Sequence, residues 1–177
     1  MIGAFFVDGA SISISLTQQG TPLIPKRIDY DRLPIVVRAI IREREKLPAP
    51  ITWSYKNYYV AHKGIEDIGK DPFLEKIKKW GWTVQEFMAK HYRDGHWKDK
   101  QVDIALALDA YDVIRSGSAS VIVVGTHDSD FAALFKRVPP SIVKYVVGWS
   151  DMMARELRDT AKPIYLDEIY QKIKYAP

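Results

Sequence analysis

Four aspartates of the 177-residue chain stand where their carboxylates can act together: Asp8, Asp103, Asp128 and Asp130. Ile2–Val7 is an apolar run that ends in Asp8-Gly9-Ala10-Ser11, and Val121–Val124 is a second that passes through Gly125 into Thr-His-Asp-Ser-Asp. Short apolar runs bounded by turn residues read as strands buried on both faces, so each delivers acids at its carboxyl end. Asp103 falls in the first turn of a helix expected over 101–115, which leads into the second run and therefore starts near the same sheet edge. In an open α/β sheet that edge is where ligands bind. A plainer role is open to Thr126, Asp128 and Ser129, since such residues are favoured as helix N-caps. Carboxylates gathered together resist ionisation unless a cation compensates. An oxygen-only donor set without Cys points to a hard ion, Mg²⁺ or Mn²⁺, which commonly serves phosphate chemistry. Asp109 and Asp112, six and nine residues beyond Asp103, lie deeper along the helix and read as surface or pairing groups.

Around the acids lie groups suited to a polyanion. Lys100 opens the helix of Asp103, where a cation opposes the helix dipole. A phosphate ligand would account for it, and so would simple solvation. The segment 89–100, which carries Arg93, Trp97 and Lys98, mixes cations with stackable rings, the combination that single-stranded nucleic acid favours. Aromatic side chains in loops also dock into cores, so a structural role stands beside that reading.

These residues need a frame, and the chain supplies one by alternation. Asp29 or Asp31 caps a helix running to about Lys46, with Leu33, Val36, Val37, Ile40 and Ile41 as its apolar stripe. Residues 12–29 read as an irregular connection. Ile51–Ala61 is a strand, Asp71-Pro72 starts a helix that reaches Trp80, and Trp82–Met88 is another strand. In helix 101–115, Val102, Ala105, Leu106, Leu108 and Ala110 mark a mostly buried element. A helix from about Asp130 to Arg137 follows the central strand. Ser141–Val147 is then a strand, Ser150 caps a helix to about Thr160, and Ile164–Leu166 is a short strand before a terminal helix. Strands separated by helical crossovers predict an α/β fold with a parallel sheet covered on both faces.

Composition sets the outer bounds. The length predicts one domain over 1–177, and no boundary or repeat interrupts it. Zero cysteines exclude disulfides, thiol catalysis and Cys-ligated metals. The amino terminus lacks a basic region before its apolar run, so no signal peptide is expected, and a cytoplasmic location fits. No apolar run approaches the roughly 20 residues of a membrane span. The net charge of +4 tilts the chain mildly toward polyanions. No Walker-type phosphate loop is present, and the absence of Asp-x-Asp after the first strand disfavours phosphoaspartyl chemistry.

VDGAS at 7–11, KQVDIALALDA at 100–110 and VGTHDSDF at 124–131 resemble the three signature motifs of the NYN domain family, PIN-like nucleases that include the bacterial LabA-like proteins. The segment SDMMARELRDTAKPIYLDEI at 150–169 also resembles the family's closing segment. The resemblance implies a Rossmann-like, PIN-like three-layer sandwich with a mainly parallel sheet of five to six strands. It further implies a metal-dependent ribonuclease that uses Mg²⁺ or Mn²⁺, with Asp8, Asp103, Asp128 and Asp130 as catalytic and metal-holding acids. Single-stranded RNA is the expected substrate and endonucleolytic cleavage the expected mode, and a homodimer is left open. Ser11, Lys100, His127, Ser129, Arg93, Trp97 and Lys98 are the expected substrate contacts. The chain departs from the family's usual Asn at Ser11, Gly at Gln101 and Gly at His127, and none of these removes a carboxylate. His127 either packs away from the site or meets substrate phosphate and titrates near neutral pH. Two other readings remain: an RNA-binding or regulatory module of the same fold without useful turnover, and a Mg²⁺-dependent hydrolase of small phosphate esters.

Overall fold

The computed structural model describes residues 1–13, 28–91, 97–98 and 100–175. Six strands form one sheet: β1 (Ile2–Asp8), β2 (Thr52–His62), β3 (Thr83–Met88), then, beyond the short strands β4 (Lys90–His91) and β5 (Trp97–Lys98), β6 (Val121–Gly125), β7 (Val143–Gly148) and β8 (Lys162–Tyr165). Their order is β3-β2-β1-β6-β7-β8, and every neighbouring pair is parallel. The two acid-bearing strands are therefore central and adjacent. β4 and β5 pair separately and antiparallel, with Lys90 opposite Lys98 and His91 opposite Trp97.

Alternation along the strands feeds two cores. Phe5, Val7, Val121, Val123, Tyr145 and Val147 point to one face, where they meet helices α2 (Arg32–Arg44), α3 (Pro72–Lys79) and α7 (Leu166–Ile173). Ala4, Phe6, Ile122, Val124 and Val146 point to the other, covered by α4 (Lys100–Ser116), α5 (Ala132–Phe135) and α6 (Arg155–Thr160). Strands of a parallel sheet sandwiched in this way are apolar on both sides, which is why they read as continuous runs in the sequence. The architecture is the expected α/β/α sandwich.

Several local expectations are corrected. A one-turn helix, α1 (Gly9–Ser13), starts directly after β1. Both expected cap residues serve the start of α2: Asp31 holds the N-cap position without a side-chain bond, and Asp29 Oδ1 accepts from the N–H groups of Asp31 (2.9 Å) and Arg32 (3.1 Å). Ser150 caps no helix. Its N–H donates to Asp167 Oδ2 at 2.7 Å, and α6 begins only at Arg155. In α4, Val102, Leu106 and Ala110 are buried as expected, whereas Leu108 is 59% exposed.

Candidate active site

The register of the central strands sets the two acid-bearing turns off from one level. Val7 pairs with Gly125, so the chain leaves β1 at Asp8 and β6 at Thr126 side by side. Asp8 is only 6% exposed. Its Oδ1 accepts from the N–H groups of Ala10 (3.1 Å) and Ser11 (3.3 Å), and the Ser11 hydroxyl donates to Oδ2 at 2.5 Å. Asp8 thus caps α1 and is held in one orientation by its own turn. Gly9 is required there, because a Cβ would lie 2.4 Å from the Tyr58 hydroxyl oxygen and 2.5 Å from its ring. Burial pushes the Tyr58 phenol up to about 12, so it stays neutral beneath the acid turn.

After β6, Thr126 is fully buried, and its Oγ1 accepts the Asp128 N–H at 3.2 Å. Asp128 Oδ1 in turn accepts the Asp130 N–H at 2.8 Å, capping a single 3-10 turn over Ser129–Phe131 that leads into α5. Ser129 and Asp130 are exposed. The two acid-bearing turns are joined by Trp149, which follows β7 and is fully buried. Its indole N–H donates to the Ile12 carbonyl at 2.9 Å, and its backbone N–H donates to His127 Nε2 at 2.9 Å.

His127 accordingly accepts with Nε2, and its proton sits on Nδ1, a buried atom with no hydrogen-bond partner among the described residues. The ring lies against Gly148, where a Cβ would come within 2.8 Å of it. Burial lowers the imidazole to about 4, so the ring is neutral through the physiological range. Placed in this way it braces the Asp128 turn.

Asp103 lies half-buried in the first turn of α4, on the helix that covers β1. Six residues on, Asp109 Oδ2 accepts from Tyr59 OH at 2.6 Å and Gln85 Nε2 at 2.5 Å, tying the helix to β2 and β3. That is a helix-to-sheet anchor, where the sequence had suggested a surface or pairing group. Asp112 sits at the surface, 3.8 Å from Arg115. Between α4 and the 130–137 segment runs a groove of about 440 Å³ whose lining includes both Asp103 and Asp130. Neither this groove nor the supporting roles of Trp149 and Tyr58 were evident from the sequence. The signal for the groove was present: Ile104, Leu108 and Tyr111 form a second apolar stripe on α4, offset from Val102, Leu106 and Ala110.

The sequence profile of the NYN domain matches residues 4–167. The chain belongs to the NYN domain family. A crystal structure of a protein of unknown function from Vibrio parahaemolyticus is similar to this fold, with a TM-score of 0.67 at 17% identity over 93% of this chain and 91% of that one. No curated protein matches the chain. Membership of the NYN family carries with it the PIN-like nuclease class.

In this NYN domain the acids are all-oxygen donors at one sheet edge, a set that suits Mg²⁺ or Mn²⁺. Among the described residues, no three His, Asp or Glu side chains stand close enough to enclose an ion together. Magnesium fits nonetheless, since it keeps several waters and is usually held by only one or two carboxylates. Of the expected substrate contacts, Ser11 is bonded to Asp8, His127 to Trp149, and Ser129 lies exposed between the two acids of its turn. Lys100 is the first residue of α4, and Trp97 and Lys98 form β5. Arg93 lies outside the described residues. Three further cations are exposed: Lys63 directly after β2, Lys70 just before α3, and Lys90 shortly after β3. No helix among the described residues is long and apolar enough to cross a membrane.

Proposed function

We propose that this NYN domain is a divalent-metal-dependent ribonuclease that hydrolyses phosphodiester bonds of single-stranded RNA. The observation that supports the reading is that Asp8 and Asp128 follow adjacent central strands, while Asp103 and Asp130 line one groove. Of Asp8, Asp103, Asp128 and Asp130, one or two carboxylates would hold the ion directly and the others would reach it through its waters. The bound ion supplies Lewis acidity toward water and the phosphoryl oxygens. The protein's own part is positional. The Ala10 and Ser11 N–H groups and the Ser11 hydroxyl fix the Asp8 carboxylate, while the Asp130 N–H fixes that of Asp128. Fixed carboxylates need no reorganisation when charge develops on the phosphate. The exposed Lys63, Lys70 and Lys90 offer cations to the RNA backbone.

One observation favours a second reading, that of an RNA-binding module without turnover: the Asp8 carboxylate is already engaged by three donors of its own turn. A panel of labelled single- and double-stranded RNA and DNA, incubated with Mg²⁺, Mn²⁺ or chelator, separates the two. The ribonuclease reading expects chelator-sensitive fragments from single-stranded RNA. Retention of RNA with no cleavage in either metal would favour the binding module.

A further inference from the structure

The groove between α4 and the 130–137 segment is shaped and coated unlike the rest of the acid site. Ile104 and Leu108 are each 59% exposed and Tyr111 is 37% exposed along its α4 wall. Asp103 and Asp130 line it, and so does Arg137, which is exposed and has no ion pair among the described residues. By helical rise, Asp103 and Tyr111 are about 12 Å apart, long enough for a base with its sugar. A volume of about 440 Å³ lies within the range of small-molecule pockets. Exposed side chains this large, gathered in a concave site, mark a binding surface more than a solvated one.

We propose that this groove is the subsite for the nucleobase and ribose of the nucleotide adjacent to the phosphate that the acids address, an inference that rests on the nuclease reading. The occupant follows from continuity: Asp103 and Asp130 belong to both places, so whatever enters the groove is attached to what the acids hold. Ile104 and Leu108 supply apolar contact for a base, and Tyr111 supplies a ring face. Arg137, which also lines the groove, offers a cation to the next phosphate along the strand. The wall contains no dense set of hydrogen-bond donors and acceptors, so the subsite recognises a base as a flat apolar body and tolerates differences in its edge.

The test compares adenosine 5′-monophosphate with ribose 5-phosphate, which has the same phosphate and no base. Binding to the full chain is followed by methyl NMR, with sedimentation to report the oligomeric state. The parent is expected to bind the nucleotide about tenfold or more tightly than the sugar phosphate, the scale of one stacked base. The Ile104 and Leu108 methyls should shift with the nucleotide alone. Leu108→Glu, at an exposed position that a folded chain tolerates, should bring the ratio of the two affinities to within twofold, and Tyr111→Ala should lower it by an intermediate amount. Equal binding of both ligands by the parent, or an unchanged ratio in Leu108→Glu, would overturn the subsite. So would a parent dimer that Leu108→Glu dissociates without altering the ratio, which would assign the groove to a second copy of the chain. Chelator-sensitive RNA cleavage by the parent is measured separately. Cleavage without base discrimination removes the subsite alone, and base discrimination without cleavage supports the subsite and removes the nuclease reading.

Discussion

At the residue scale, the acid turns are held by contacts that leave little room for change. Tyr58 is packed under Gly9, so Gly9→Ala forces the Asp8 turn away from the sheet. Overpacking of this kind costs about 1–3 kcal/mol or more, and the expected result is a lowered melting temperature together with lost activity. Tyr58→Phe in the same chain should give only partial relief, because the ring carbon would still lie 2.5 Å from the new Cβ. Full recovery in that double variant would show that the hydroxyl alone was the obstacle. Trp149→Phe removes the donor to the buried Ile12 carbonyl while keeping most of the apolar volume. An orphaned buried acceptor costs about 1–3 kcal/mol, readable by chemical denaturation, and an unchanged stability would show that Trp149 is not the brace between the two turns. Much of this was hidden in the sequence for a physical reason. Asp8-Gly9-Ala10-Ser11 displays the acid and the flexible residue, but the tyrosine that makes the glycine necessary, Tyr58, is far along the chain on β2. His127 is a similar case: its type suggests titration near neutral pH, while its partner, the Trp149 N–H, is set by how β6 and β7 lie side by side.

At the element scale, the strands were legible because a parallel sheet buried on both faces writes itself as β-branched runs. The crossing helices were legible in place and less so in orientation. α4 is apolar on two sides, so Leu108 read as core, while the sheet in fact takes Val102, Leu106 and Ala110 and leaves Ile104, Leu108 and Tyr111 to the groove. α1 is a single turn, too short for periodicity to register. The end of α2 offers a pH test of how helices are tied to the sheet. Glu45 accepts from Lys162 Nζ and from Tyr145 OH, each at 2.6 Å. The Lys162 ammonium, aided by the Tyr145 hydroxyl, holds the carboxyl below its ordinary range. A carboxyl lowered in the folded state contributes stability above its unfolded value, and that contribution fades as pH falls through the folded one. Glu45→Gln should therefore melt below the parent at pH 7, and the gap should close as pH drops below about 4.5. A gap that stayed constant from pH 7 to pH 3 would show that the carboxylate charge contributes nothing.

At the scale of the whole molecule, a mildly basic protein carries an acidic site, and the two are reconciled by distribution. Asp8, Asp128 and Asp130 lie at or just beyond the ends of β1 and β6, while the exposed Lys63 and Lys90 follow the neighbouring β2 and β3, and Lys70 precedes α3. Backbone contacts to single-stranded nucleic acid release counterions, with a slope of roughly 0.7 per neutralised phosphate in a log–log plot of affinity against salt. The charge reversals Lys63→Glu and Lys90→Glu should each weaken RNA binding and flatten that slope, measured by fluorescence anisotropy on an Asp128→Asn background. Equal slopes in parent and variants would move the RNA path to another flank of the site.

Metal-dependent RNA cleavage by this NYN domain should depend on the aspartates that follow its central strands. The most direct measurement is the cleavage rate of labelled single-stranded RNA, with Mg²⁺ or Mn²⁺ and with chelator, for the parent and Asp8→Asn. Asparagine keeps an oxygen to accept the Ala10 and Ser11 N–H bonds, so the turn and the fold should survive, as thermal melting will report. The account predicts cleavage by the parent that chelator abolishes, and a loss of about a hundredfold or more in Asp8→Asn, the scale of losing one fixed electrostatic group. Undiminished cleavage by a folded Asp8→Asn protein, or cleavage by the parent that persists in chelator, would contradict it.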